Sequence, residues 1–376
     1  MKKCAAALVA AVLLILPAAA VSGGPAVEAG SAILMEKETG TVLYEANAHD
    51  KLEPASVTKV MTLLLVMEAI DDGRLKMEDM VTVSAQAASM GGSQVYLKEG
   101  EQMTVHDMLK AVAVVSGNDA AVALAEHIAG SEEGFVERMN RRAAELGMAD
   151  TTFINCTGLP AAGHLTSAYD IAVMSRALLA RPGIREFTTI WMDSVRDGQF
   201  QLANTNKLIR FYEGATGLKT GFTDSALYCL SATAERDGME LIAVVMKCPT
   251  SEKRFEGAKA LLNFGFANYT LLDVHPDQAL PPVEVALGEC STVQPVLAQS
   301  GRILIDKAEL NNVTTELRLT ERVEAPVVAG QKLGEMVVSV SGVEQQTIPV
   351  VADQAVERLT MPGIFKRFLD ILFMAG

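Results

Sequence analysis

Between Val57 and Ile70 the chain is apolar on nearly every face of a helical projection. A surface helix carries one apolar stripe, so a segment hydrophobic all round has to be wrapped by other elements at the centre of a large domain. Pro54 precedes it, which puts Ser56 at the N-terminus of a buried helix and Lys59 one turn later on the same side. The chain is long enough to supply the wrapping. Its 376 residues, 49% apolar and 21% charged, are ordinary for a globular protein with one large core and a smaller companion.

The flanking patterns indicate what does the wrapping. Ile33-Leu34-Met35-Glu36 and Val42-Leu43-Tyr44-Glu45, joined through Thr39-Gly40, predict an early hairpin. Thr104 with Asp107 predicts a capped helix to about Val115, and a second helix runs from Asp119 to Ala129, stopped by Gly130. Further helices are expected from Phe135 to Leu146 and from Tyr169 to Leu179. After Gly214 the period changes, and Gly217–Thr223, Ala226–Glu235 and Glu240–Lys247 are strand-like, with Asp237-Gly238 as a hairpin turn. A helix over Ala258–Phe266 follows. The expected fold class is α+β, with a sheet built from both ends of the segment and flanked by a helical region.

Five regions are expected. Residues 1–29 read as a signal peptide: Met1-Lys2-Lys3, an apolar run from Cys4 to Pro17, and small-residue cleavage sites ending at Ala20 or at Ala29; an uncleaved anchor is the alternative. The α+β domain covers 30–273 and a Pro-rich linker 274–282. Residues 283–355 form a small all-β domain of short runs such as Arg302–Ile305 and Thr315–Leu319, in which Pro326 belongs at a turn or strand edge. In 357–376, Met361, Ile364, Phe365, Phe368, Ile371 and Leu372 share one face and Lys366, Arg367 and Asp370 lie largely opposite. That segment is too short to span a bilayer, so it either lies in a membrane interface or docks on the β domain.

The formal charge of −14 argues against nucleic acid as a partner. Cys156, Cys229, Cys248 and Cys290 lack Cys-x-x-Cys spacing; Cys229 and Cys248 lie on consecutive strands, but buried free thiols are the simpler expectation. The histidines show no ligand spacing, and neither a metal nor a cofactor is implied.

Three short phrases carry the chemistry: Ser56-Val57-Thr58-Lys59, Ser116-Gly117-Asn118 and Lys219-Thr220-Gly221. Each alone has a bland alternative, namely an N-cap serine, a helix-linking turn and a solvated edge strand. As an ordered set they describe acyl transfer to a serine. Ser56 needs a base, and Lys59 can serve once its pKa is lowered by desolvation or neighbouring cations. The backbone N–H groups of Ser56 and Phe222 are expected to form an oxyanion hole. Ser116 can relay a proton to the leaving amine, and Asn118 can bind a substrate amide while bracing Lys59. Lys219 adds a positive charge that lowers the Lys59 pKa, Thr220 a hydroxyl, and Gly221 room for substrate backbone.

With Pro54-Ala55-Ser56-Val57-Thr58-Lys59, Ser116-Gly117-Asn118-Asp119-Ala120 and Gly217-Leu218-Lys219-Thr220-Gly221-Phe222-Thr223 in view, the chain resembles the low-molecular-mass penicillin-binding proteins, the serine-type D-alanyl-D-alanine carboxypeptidases. The resemblance extends over nearly the whole mature chain. It implies a penicillin-binding, β-lactamase-like transpeptidase fold and removal of the terminal D-alanine from the peptidoglycan stem pentapeptide through a Ser56 acyl-enzyme. It further implies β-lactams as covalent inhibitors, and a location on the outer face of the cytoplasmic membrane, held there through the C-terminal helix. By the same resemblance Arg254 helps Thr220 hold the substrate carboxylate; from the residues alone it would pass as a surface charge. Phe222 stands where some members carry histidine, and Cys156 has no functional account. A β-lactamase-like hydrolase, a D,D-endopeptidase and a wall-binding protein of weak activity are the alternatives. A β-lactamase would need a glutamate-held water, and no such motif occurs between Asn155 and Asp170.

Overall fold

The computed structural model describes residues 24–274, 279–298 and 301–374, so the expected leader up to residue 23 and part of the linker lie outside the described residues. Strand β1 (Ser31–Glu36) forms an antiparallel hairpin with β2 (Val42–Ala46). Its other edge pairs with a strand from far along the chain, Ser31 opposite Met246 and Glu36 opposite Leu241. With β3 (Ala215–Thr223), β4 (Leu227–Arg236) and β5 (Met239–Cys248), the order across the sheet is β2-β1-β5-β4-β3. The two ends of the segment therefore share one sheet, as their alternation predicts. Asp237 and Gly238 both adopt positive φ, the geometry that lets a two-residue turn follow the strand twist.

The all-apolar segment becomes α1 (Lys59–Asp71), in which Val60, Met61, Leu64 and Val66 are fully buried. The wrapping comes from α2 (Val105–Val114), α3 (Asn118–Ala129), α4 (Glu132–Glu145) and α5 (Ala168–Leu179). Thr104 Oγ1 accepts from the Asp107 N–H at 3.1 Å and Ser167 Oγ from the Asp170 N–H at 3.2 Å, so α2 and α5 start where their capping residues stand. Two starts differ from expectation. Ser131 caps α4 before Phe135, and α6 (Ser251–Asn268) begins well before Ala258; both have polar first turns that hide the apolar period.

A second compact unit comprises Glu235–Glu240 and the chain from Asn263 onward. Its four-stranded antiparallel sheet runs in the order Pro295–Leu297, Val343–Ala352, Lys332–Val340, Val313–Leu319, and a smaller sheet centres on Val283–Ala286. Alternation builds its cores: Val283 and Val285 are buried while Glu284 between them is exposed. Pro326, with no N–H to donate, lies outside any strand. Helix α7 (Met361–Met374) leaves Met361 and Phe373 nearly four-fifths exposed, at 79% and 77%. The side chains of Lys366, Arg367, Phe368, Asp370, Ile371 and Leu372 lie outside the described ones. Among the described residues no helix is long and apolar enough to cross a membrane.

Because Leu64 is fully buried within the core, a void left at its side chain is sealed from solvent. Leu64→Ala is expected to cost roughly 2–5 kcal/mol of stability, visible as a lowered thermal midpoint of the full chain.

Candidate active site

The nucleophile turn is a 3-10 helix over Ala55–Thr58 that leads into α1, so Ser56 sits one element earlier than the helix N-terminus expected for it. Ala55 adopts φ 48°, a left-handed conformation. The turn fits because Gly158 lies beneath it: a Cβ there would come within 1.8 Å of the Ala55 carbonyl oxygen. Gly221 is needed on the other side, where a Cβ would meet the Pro54 oxygen at 2.7 Å and the Ser56 nitrogen at 3.1 Å. The expected reason for that glycine, room for substrate backbone, is thus joined by a stronger one: β3 and the nucleophile turn pack backbone to backbone.

Lys59 is completely buried, and its Nζ donates to Ser56 Oγ at 3.0 Å, Asn118 Oδ1 at 2.6 Å and the Thr157 carbonyl at 2.8 Å. Burial brings its pKa down to about 7, opposed by the negative charge of Asp119. Desolvation, one of the two expected causes, leads at Lys59. Lys59 and Lys219 repel each other, and the Lys219 ammonium is disfavoured first by burial and then by Lys59 and Arg254.

Asn118 opens α3, and its Nδ2 donates to the Gly91 carbonyl at 2.7 Å, which fixes the amide so that its oxygen faces Lys59. Ser116, at φ 65° in the break before α3, is buried, and its Oγ has no partner among the described residues. A buried hydroxyl without a partner is costly, so it is poised to bond a group that enters the site. Thr220 Oγ1 donates to Thr205 Oγ1 at 2.7 Å. Phe222 is half-exposed and packs on Tyr228, with ring centroids 4.4 Å apart.

Arg254 is not the surface charge its sequence position suggests. It is 8% exposed, lies over the Tyr228 and Phe255 rings, and donates from Nη1 to the Gly221 carbonyl at 3.0 Å. All nine predicted residues, Ser56, Lys59, Ser116, Asn118, Lys219, Thr220, Gly221, Phe222 and Arg254, belong to one compact unit.

Several contributors carried no signal in the sequence. Asn155 Oδ1 accepts from the N–H groups of Thr157 and Gly158 at 3.1 and 2.7 Å, an Asx-type turn that aims the Thr157 carbonyl at Lys59. Cys156 accounts for itself structurally: its carbonyl accepts from Thr62 Oγ1 at 2.6 Å, and its N–H and Sγ donate to Glu132 Oε1. Burial and Glu132 push its thiol well above the usual range, so it is inert. Cys229 and Cys248 are likewise buried and unpaired, whereas Cys290 is exposed. His164, nearly buried, takes the Ile154 N–H on Nδ1 at 3.1 Å and contacts Thr58 Oγ1 through Nε2 at 2.8 Å; burial lowers its pKa to about 4 and keeps it neutral.

A serine hydroxyl, a neutralisable lysine and two further buried cations can perform acyl transfer on an anionic substrate. Comparison with known proteins agrees. Residues 18–250 match the family model described as D-alanyl-D-alanine carboxypeptidase. The chain belongs to that family. Residues 274–358 match the C-terminal domain of penicillin-binding protein 5. The carboxypeptidase DacF of Bacillus subtilis strain 168 is 44% identical over 90% of this chain and 89% of its own length. Penicillin-binding protein 5 of Haemophilus influenzae superposes with a TM-score of 0.78 at 30% identity, covering 89% of this chain and 99% of that one. Penicillin-binding protein D2 of Listeria monocytogenes in its ampicillin-bound form is 33% identical, with a TM-score of 0.59 over 64% of this carboxypeptidase and 98% of that chain. The protein is thus a serine-type D-alanyl-D-alanine carboxypeptidase with the penicillin-binding fold and a small β domain.

The base must be unprotonated before it can accept the Ser56 proton. For the full chain kcat/KM is therefore expected to rise with pH and level off, with its midpoint near the Lys59 value of about 7. Lys59→Arg, which cannot lose its proton at these pH values, is expected to abolish the limb along with the activity.

Proposed function

We propose that this carboxypeptidase removes the terminal D-alanine of the peptidoglycan stem pentapeptide through an ester on Ser56. Lys59 takes the Ser56 proton as Oγ attacks the carbonyl of the penultimate D-alanine. The N–H groups of Ser56 and Phe222 hold the oxyanion. The C–N bond then breaks, and the proton passes from Lys59 through Ser116 to the leaving amine. Water attacks the ester with the same base, releasing the shortened peptide and restoring Ser56. Asn118 holds the substrate amide, while Lys219, Thr220 and Arg254 receive the terminal carboxylate, with Gly221 keeping β3 close to the nucleophile. The observation that carries this reading is the Lys59 amine, 3.0 Å from Ser56 Oγ with a pKa near 7.

The ampicillin-bound Listeria relative supports β-lactams as inhibitors that acylate Ser56. The β-lactamase alternative is disfavoured by Glu132, the glutamate beside Cys156: Oε1 accepts from Cys156 and Oε2 from Gln86 Nε2 at 2.9 Å, which leaves it committed to structure. Export through the leader of residues 1–29, and residence of the 30–273 catalytic and 283–355 β domains outside the cytoplasm, follow from a wall substrate. The exposed Met361, Ile364, Phe365 and Phe373 on α7 support attachment to the membrane surface.

Intact-mass analysis with a fluorescent penicillin is expected to find an adduct on the wild-type chain that Ser56→Ala lacks, with D-alanine release from a D-Ala-D-Ala peptide lost in parallel; full release by Ser56→Ala overturns the mechanism. A chain ending at Glu357 is expected to leave the membrane fraction while still releasing D-alanine. Continued pelleting would reject α7 as the attachment.

A further inference from the structure

Tyr96 is a bulky aromatic residue at φ 58° with 66% of its surface exposed, a conformation that such side chains rarely adopt and an exposure they rarely show. Its backbone is held from two sides. The N–H groups of Val95 and Leu97 both donate to the buried carboxylate of Asp119, the residue after Asn118. The carbonyls of Val95 and Tyr96 accept from Arg196, whose Nε donates to Glu101 Oε1 at 2.7 Å. A strained, exposed ring on a backbone clamped this thoroughly marks a functional position rather than a loose loop.

The ring lines an open cleft of about 630 Å³ together with Phe200, against which it packs edge to face, with centroids 6.1 Å apart and planes at 64°. Arg196 lies over Phe200 and is paired with Glu101; Lys98, Glu99 and Gln199 also line the cleft, and the Lys98 and Glu99 side chains are exposed. Flat apolar faces beside charged and neutral hydrogen-bonding groups suit a polyhydroxylated ring better than an alkyl chain. The loop carrying Tyr96 also roofs the catalytic break, since the Asn118 N–H donates to the Ser93 carbonyl at 2.7 Å. From the attacked carbonyl of the penultimate D-alanine, the four remaining stem residues reach up to about 13–14 Å, at roughly 3.3–3.6 Å per residue. A sugar joined to the stem would therefore lie beyond the catalytic residues.

We propose that the cleft beside the packed Tyr96–Phe200 pair is a subsite for the amino sugar that carries the stem peptide, with a pyranose ring stacked on the exposed face of Tyr96. The inference rests on the carboxypeptidase reading and adds to it a preference for glycan-linked over free peptide.

The test compares kcat/KM for N-acetylglucosaminyl-N-acetylmuramyl pentapeptide and for the free pentapeptide, using the full chain. The wild type is expected to favour the sugar-linked substrate, and Tyr96→Ala and Phe200→Ala to reduce that ratio about fivefold, the scale of one lost ring contact. Using the ratio cancels any general loss of active enzyme. Tyr96→Leu, which keeps bulk without a flat face, is expected to behave like Tyr96→Ala. A wild type with no preference, or variants that retain the wild-type ratio, overturns the subsite. Failure of the wild type to release D-alanine from the free pentapeptide would instead reject the carboxypeptidase reading itself.

Discussion

A lysine amine sealed from water and held by three oxygens, none of them a carboxylate, is the contact on which the rest of this enzyme depends. Hydroxyl, amide and backbone carbonyl partners satisfy its hydrogens without supplying the opposite charge that would keep it protonated. Burial therefore decides the outcome, and the base form becomes available near neutral pH. Each oxygen is delivered by a different element: Ser56 by the 3-10 turn, Asn118 by the start of α3, and Thr157 by the Asx turn after α4. The burial of the first turns of α1 serves this contact, because an exposed face at Lys59 would restore its ordinary pKa.

The surroundings hold conformations that would not persist alone. Ala55 and Ser116 both adopt positive φ next to the reacting groups, each at a cost of order 1–3 kcal/mol. Close packing against Gly158 and Gly221 enforces the first, and the rigid exit from α2 into α3 the second. In the pocket Lys219 is buried beside Lys59 and Arg254; the burial and both neighbours disfavour its ammonium, and an anionic substrate offsets that.

Much of this was legible in the chain. The all-apolar segment announced the central helix, Thr104 located the start of α2, and the three phrases named the groups that meet around Lys59. What escaped had a common cause. Thr157, Cys156 and Thr62 act largely through backbone carbonyls or a contact to one, and no residue type marks a carbonyl's direction. Thr205 and His164 matter only for what they touch across the fold. Arg254 looked like a surface charge because burial of its helix is settled by packing against Tyr228 and β3, not by the pattern around it. The early starts of α4 and α6 lacked apolar residues and so left no period to read.

The pairing of β1 with β5 has a consequence for the order in which the molecule can assemble. Every side chain of β1 is buried, yet its partner from Leu241 to Met246 is made only after the whole helical region has been synthesised. Until then the hairpin has an apolar edge and nothing to close it, and joining residues so far apart carries a large loop-closure cost. Sheet closure must therefore come late, and until the Leu241–Met246 strand arrives the apolar edge of β1 stays open to non-native contacts.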